Sequence, residues 1–394
     1  MSILDEAFAA QYDSQHTRAW AEISRSALRS NIREIQKKIP PTSSLCAVVK
    51  ADAYGHGAVE VARIACEEGA RFLAVATLEE ALHLRENGLK CPILLLSGSA
   101  PEAAPILAEE ELRQCLSSTE EAEAYARELR AHPAPSGRPL LVHIKLDTGM
   151  ARLGFSAREN DQEKTINAIS AALQFPEIKA EGIFTHFATA SAEDTQYRDL
   201  QYSRLMAVIQ GCEQRGIHFA IRHCANSATI VKEPAYALDM CRAGIILYGG
   251  IDGDFMRREI KLTPVMRFVA RISTVRELEA GESISYGRIF TTDRPMRIGV
   301  VEAGYADGVP RILSNRAIFK LHGKEVRQIG RICMDRLMID LSDVPEARIG
   351  DQVTLWGGSG ENAVDPEAQA ARAETISYEL FCGVAPRVPR IIID

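Results

Sequence analysis

Between Ser24 and about residue 250, eight near-continuous apolar runs alternate with segments of helical period, and this alternation restricts the chain to very few folds. The runs are SLCAVVKA (44–51), RFLAVAT (71–77), CPILLLSG (91–98), ELRQCLS (111–117), LLVHIKLD (140–147), IKAEGIFTHFA (178–188), FAIRHCAN (219–226) and DMCRAGIIL (239–247). Strands that read apolar throughout need cover on both faces, which a parallel sheet wrapped in helices provides. Eight such units in roughly 250 residues is the size of a (β/α)8 barrel. The intervening segments fit: after Ser24, a residue suited to an N-cap, Leu28, Ile32, Ile35 and Ile39 share one helical face.

Beyond about residue 256 the pattern changes. VMRFVARISTVREL, MRIGVVEAG, AIFKLHGKEVRQIG, RLMIDL and DQVTLWGG alternate in the strand period with frequent turn residues, and helical signals return only near 366–381. The chain therefore reads as α/β: an N-terminal (β/α)8 TIM barrel over 1–255, followed by a mainly antiparallel C-terminal β domain over 256–394. Its 394 residues exceed what one core usually carries, in agreement with two domains.

Composition narrows the partners. Forty-six basic against fifty-three acidic side chains leave a net charge of −7, the wrong sign for a nucleic-acid binder. No stretch approaches eighteen apolar residues, so no membrane span is expected. The start, MSILDEAFAAQYD, lacks the basic and apolar regions of a leader. Nine scattered cysteines without a CxxC pair read as thiols of a reducing compartment, not as bridges or metal ligands. A cytoplasmic protein with no metal site is expected.

In a barrel of this kind, polar residues that end a strand face the mouth where active sites are built. Lys50 ends CAVVK, His186 ends GIFTH, His223 with Asn226 and Ser227 follows FAIR, and Arg242 follows LDMC. An amine at the end of an apolar strand is costly to desolvate unless its charge is removed or paired, and imine formation with a carbonyl compound removes it. Tyr54 and the two glycines of DAYGHG follow Lys50 closely, and glycines let backbone approach a ligand. Ser227 and the amides of Gly244 and Ile245 follow the last two strands, where barrels commonly bind phosphate. Arg242 offers donors only, so a pyridine nitrogen facing it would stay unprotonated and act as a weaker electron sink. Each residue also has an ordinary alternative. Lys50 could snorkel, the two histidines could be satisfied core residues, and Arg242 could pair with a carboxylate. Asn226 and Ser227 could cap a turn, Asp335 could occupy one, Met334 could fill the β-domain core, and Tyr286 could be an ordinary strand aromatic.

The ordered motifs AVVKADAYGHG, KLDTGMARLGF, THFATA, HCANSA, RAGIILYG, SYGR, GYADG and GRICMD overturn those alternatives, because together they resemble the alanine racemase family of pyridoxal 5′-phosphate (PLP) enzymes. The resemblance runs from AWAEIS (19–24) to RVPR (387–390). It implies a PLP-dependent isomerase that interconverts L- and D-alanine by a two-base mechanism and supplies D-alanine for peptidoglycan. It makes Lys50 the PLP-bearing lysine and one base, with Tyr286 the base on the opposite face. Racemisation removes a proton from one side and returns one to the other, so two groups are needed.

The resemblance further implies that His186 links Tyr286 to Arg242, that His223 supports Arg242, and that Tyr54, Ser227, Gly244 and Ile245 contact the phosphate beside Asn226. Arg152 matches an arginine near the substrate carboxylate, and Lys145 a lysine often carbamylated in the family. Met334 and Asp335, with Tyr305 beside them, match residues contributed by a partner subunit, so a homodimer with shared active sites is implied. Segment 17–24 is expected to pair with the C-terminal domain. One position departs from the pattern: many members carry a tyrosine where this chain has Pro386, which has no hydroxyl. A broader small-amino-acid racemase acting on serine is therefore an alternative, and a PLP-binding homeostasis protein is another. A PLP decarboxylase would present an acid to the pyridine nitrogen and a cysteine as proton donor, against Arg242 and Tyr286.

Overall fold

The computed structural model describes residues 17–158, 162–251 and 253–394, and the start of the chain read above for a leader lies outside them. Strand β1 (Ala19–Ser24) leads directly into helix α1 (Arg25–Lys38), and Ser24 ends one and caps the other, its Oγ accepting from the Ala27 amide at 3.0 Å. Leu28, Ile32 and Ile35 form the buried face of α1.

Eight parallel strands follow: β2 (Ser44–Val48), β3 (Phe72–Val75), β4 (Ile93–Leu95), β5 (Leu112–Leu116), β6 (Leu140–Asp147), β7 (Ile178–Phe184), β8 (Ile221–His223) and β9 (Met240–Ala243). Each pairs with the next in parallel from β2 to β8. The ring closes where β9 pairs with β2, placing Arg242 opposite Cys46, and where the amides of Asp239 and Arg242 donate to Arg222 and Ala225 at 3.0 Å. Helices including Ala58–Glu67, Leu78–Glu86, Thr119–Ala131, Gln162–Ala172 and Gln196–Gln214 connect the strands. Cys46, Leu73, Ala74, Leu94, Cys115, Ile144 and Ile183 are fully buried, which is why these runs read as continuously apolar.

The C-terminal domain is organised by one long strand, β10 (Met266–Leu278). The other strands of its main sheet are β11 (Met296–Val301), β12 (Ile318–Leu321), β13 (Lys324–Ile329), β14 (Leu337–Asp340), β15 (Gln352–Gly357) and β16 (Arg390–Ile393), and Ser283–Ile284 pairs separately with Phe290–Thr291. Their order is β11-β14-β13-β12-β15-β10-β1-β16, and β11 also pairs with β10, which closes six of the strands on themselves. All pairings are antiparallel except that of β1 with β16, so the start of the chain lies between β10 and its own end. Trp20, Phe268 and Trp356 fill this core, with Phe268 edge-on to Trp356 at 4.8 Å.

One buried side chain fastens the two domains. Asn31 on α1 is fully buried, donates to the carbonyls of Leu247 and Thr263 at 3.0 and 2.8 Å, and accepts from the Thr263 amide at 2.9 Å. It thus joins the end of the barrel to the connector that enters β10. Asn31→Ala leaves three buried backbone groups without their partner, so unfolding free energy in urea should fall by about 3 kcal/mol. A change below about 0.5 kcal/mol, the scale of ordinary surface substitutions, would contradict this role.

Candidate functional site

The carboxyl ends of the barrel strands open into a cavity of about 480 Å³, a volume suited to a small molecule. Its wall contains Lys50, Tyr54, Lys145, Arg152, His186, Asn226, Ser227, Arg242, Gly244 and Ile245, so ten of the residues singled out in the sequence meet at one mouth. His223 lies beneath this wall, fully buried against Arg242.

Lys50 lies two residues past the end of β2, and the chain after it does something unusual. Ala51, Asp52, Ala53 and Tyr54 all adopt left-handed backbone angles, with φ of 52–53° and ψ of 40–50°. For non-glycine residues this conformation costs roughly 1–2 kcal/mol each, so the surroundings must over-determine it. The Ala51 amide donates to Glu80 at 2.6 Å, the Ala53 amide to the Val49 carbonyl at 2.8 Å, and the Ala58 amide to Asp52 at 2.7 Å. Arg390, from β16, donates to the Gly55 carbonyl at 2.9 Å. The turn delivers Tyr54 into the cavity wall, its ring 4.9 Å from that of Tyr248. Gly55 serves the chain rather than a ligand, since a Cβ there would lie 2.4 Å from the Phe381 carbonyl oxygen, while Gly57 has open space beside it and a positive φ of 93°. Burial, with help from the Arg152 charge, lowers the Lys50 pKa.

Arg242, on the closing strand, is 4% exposed. Its guanidinium donates to His223 Nδ1 at 2.7 Å, the Thr185 carbonyl at 2.9 Å, His186 Nδ1 at 3.3 Å and the Cys224 carbonyl at 3.3 Å. Because arginine only donates, both imidazoles receive it through an unprotonated Nδ1. Burial and then the Arg242 charge push both histidines well below the usual imidazole range, so they are neutral. The Phe184 ring stacks on His223 at 4.7 Å and lies 5.4 Å from the Arg242 guanidinium carbon. Lys145 is buried beside this group, donates to the Leu146 carbonyl at 2.6 Å, and is pushed down to about 8 chiefly by burial.

At the rim, the Gly244 amide donates to Ser227 Oγ at 2.9 Å, and a Cβ on Gly244 would lie 2.8 Å from the Tyr54 hydroxyl. Asn226 caps the helix Ser227–Lys232, accepting from the Thr229 amide at 3.1 Å, so its ordinary capping role is present here.

The β-domain residues lie elsewhere. Tyr286, Met334 and Asp335 line a shallow depression on the C-terminal domain, distinct from the cavity of the same chain. Tyr286 is 71% exposed, Met334 52% and Tyr305 43%. Backbone bonds from Tyr305 to the Cys333 carbonyl and from Ala306 to the Met334 carbonyl, both 3.0 Å, hold the GYADG and CMD loops together. Asp335 accepts from Arg387 at 2.6 Å.

Several residues of the site were not signalled by the sequence. Tyr378 and Cys382 line the cavity from the helix Ser377–Gly383, more than a hundred residues beyond the barrel. His143 donates no signal as a strand-interior residue, yet it bonds His223 at 2.8 Å. Among the described residues no cluster of three or more His, Cys, Asp or Glu side chains could hold a metal, and no helix is long and apolar enough to cross a membrane.

Comparison with known proteins agrees with this geometry. The family models for the alanine racemase N-terminal and C-terminal domains match residues 23–252 and 265–392. The alanine racemases of Desulfovibrio desulfuricans and Desulforamulus reducens are each 41% identical over 375 residues, covering 95% of this chain and 98% of theirs. Among solved structures, alanine racemase from Clostridium difficile 630 superposes with a TM-score of 0.89 at 34% identity, over 96% of each chain. That from Streptomyces coelicolor A3(2) gives 0.90 at 33% identity, over 96% of this chain and 99% of the other. With both domains matched in order across nearly its whole length, the chain belongs to the alanine racemase family.

Proposed function

We propose that this chain interconverts L- and D-alanine with PLP held in the barrel cavity. The observation that carries the reading is the presence in one mouth of Lys50, at the end of an apolar strand with its pKa lowered by burial, and a buried, donor-only Arg242. The donor set suits PLP: an amine for its aldehyde, a guanidinium for its ring nitrogen, and hydroxyls of Tyr54 and Ser227 beside a glycine for its phosphate. The rim also supports it, because Gly244 leaves room for the Tyr54 hydroxyl, which a Cβ there would meet at 2.8 Å and displace. When bound, PLP supplies an electrophilic carbon and an electron-withdrawing ring that acidify the substrate α-proton.

Lys50 Nζ takes or returns that proton on one face, and Arg152 and the neutral His186 orient groups around it. Arg242 would hold the ring nitrogen and, offering only donors, would leave it unprotonated, limiting electron withdrawal and favouring return of the proton to the α-carbon. Tyr286 serves the opposite face. Its exposure away from its own chain's cavity supports a homodimer in which Tyr286, Tyr305, Met334 and Asp335 of each subunit complete the partner's site. Lys145, as the free amine, would add to carbon dioxide and release one proton to solvent to give a carbamate anion near Arg152; its pKa, lowered to about 8, makes the free amine more accessible. Nine free thiols support a reducing, cytoplasmic setting, where D-alanine would supply peptidoglycan. The matches across both domains favour alanine racemase over a broader serine racemase or a PLP-holding protein.

Purified holoenzyme given L-alanine in D2O should form D-alanine towards an equal mixture, with deuterium at the product α-carbon. L-alanine that stays unexchanged and unracemised would overturn the reading. Tyr286→Phe should lower racemisation on the order of 10²- to 10⁴-fold, the usual contribution of a positioned acid or base. Gly244→Ala should release PLP on dilution, followed by its visible absorbance, because the added methyl meets the Tyr54 hydroxyl. Retention of PLP equal to that of the parent would show that this rim does not hold the phosphate.

A further inference from the structure

The acceptors around Arg242 leave its charge uncompensated at first sight: two imidazole nitrogens and two carbonyl oxygens, none of them charged. A buried guanidinium ordinarily requires an anion. A carboxylate is reached through two histidines. His223 Nε2 lies 2.8 Å from His143 Nδ1, His143 Nε2 lies 3.1 Å from Glu181 Oε2, and Arg113 grips both Glu181 oxygens at 3.0 and 3.2 Å.

Proton bookkeeping fixes the direction of this series. Arg242 donates to His223 Nδ1, so the single proton of a neutral His223 sits on Nε2 and is donated to His143 Nδ1. His143 then carries its own proton on Nε2 and donates it to Glu181, which as a carboxylate only accepts. Burial alone would raise the Glu181 pKa, but the hydrogen bonds from His143 and Arg113 bring it down to about 2, so it stays ionised. Burial lowers the His143 pKa, which keeps that ring neutral despite its acidic neighbour.

The barrel is shaped for these rings. His143 and His223 are fully buried in an interior that such barrels normally fill with branched apolar side chains. His143 faces Gly182 across β6 and β7, and a Cβ there would lie 2.5 Å from His143 Nδ1 and 2.7 Å from the Ile221 carbonyl oxygen. The register between β6 and β7 shifts at the same point, between Val142 and His143.

We propose that Glu181, held by Arg113 outside the cavity, is the counter-charge of Arg242, and that His143 and His223 transmit it by fixing one direction of proton donation. Glu181, His143 and Arg113 are thus positioning residues: they keep the guanidinium where it faces the cofactor ring. The functional part rests on the racemase reading; the tautomers do not.

The test is nitrogen NMR of ¹⁵N-histidine-labelled protein, with and without PLP, alongside kinetics of Glu181→Gln. In the parent protein His143 and His223 should both be neutral with the proton on Nε2. In Glu181→Gln, whose amide can donate as well as accept, His143 should move towards the Nδ1-protonated form. In the same variant kcat should fall about tenfold while KM for alanine changes less than about twofold, a loss typical of groups that orient a reacting centre through another residue. Arg113→Met leaves an acceptor-only carboxylate, so it should lower kcat in the same direction while His143 stays protonated on Nε2, and it replaces the kinetic readout of Glu181→Gln if that variant fails to fold. A charged or Nδ1-protonated His143 in the parent protein would overturn the proposal. So would variants with parental tautomers and parental kcat. Failure of the racemase reading would appear instead as a parent protein with these tautomers and no racemisation.

Discussion

A guanidinium buried at the closing strand of the barrel is the constraint around which this molecule is arranged. Arg242 cannot shed its proton and has no carboxylate among its bonded neighbours, so the barrel must stabilise it through oriented neutral groups. That requirement accounts for two neutral histidines with defined tautomers and for an aromatic ring beneath the cation. The same field bears on its neighbours: positive charge from Arg242 and Arg152 adds to burial in lowering the Lys145 pKa, and Arg152 does so for Lys50. A site made of donors, with two lysines whose pKa values burial lowers, is suited to an anionic, phosphorylated ligand.

The two domains divide the labour. The barrel holds the cavity, while the β domain presents Tyr286, Tyr305, Met334 and Asp335 on its surface. A buried carboxylate keeps that surface in register: Asp307 is fully buried, accepts from Arg18 beside β1 and from Arg387 of RVPR, and also accepts from the Gly304 amide at 2.9 Å. Arg387 in turn holds Asp335. Arg390, three residues on, bonds the carbonyls of Gly55, Val384, Ala385 and Val388, which ties the Lys50 turn to the end of the chain. The RVPR segment therefore braces both the Lys50 turn and the GYADG and CMD loops.

Strand-end chemistry was legible in the sequence because a polar residue closing an apolar run is conspicuous: Lys50, His186 and Arg242 stand out in this way. The eight strands were legible for the related reason that burial on both faces leaves no alternation. His143 and Glu181 were hidden, because a polar residue inside a strand looks like an outward-facing one; only the ring seated over Gly182 shows otherwise. The left-handed turn at Ala51–Tyr54 was also hidden, since alanine favours right-handed helix and the opposing contacts come from residues as distant as Glu80 and Arg390. Tyr378 and Cys382 reach the cavity only through tertiary packing of the C-terminal helix. Motif order carried the assignment of Tyr286, which its local sequence does not distinguish from a surface aromatic.

The central claim is that one subunit's lysine works with the other's tyrosine. Lys50→Ala and Tyr286→Phe proteins, each inactive alone as racemases, can be mixed under conditions that exchange subunits. A shared site predicts recovery of up to about a quarter of parental activity, because half of the dimers at random exchange are mixed and each of these holds one site with both native residues. Mixed dimers that form and stay inactive would contradict the account, because Lys50 and Tyr286 would then have to act within a single chain.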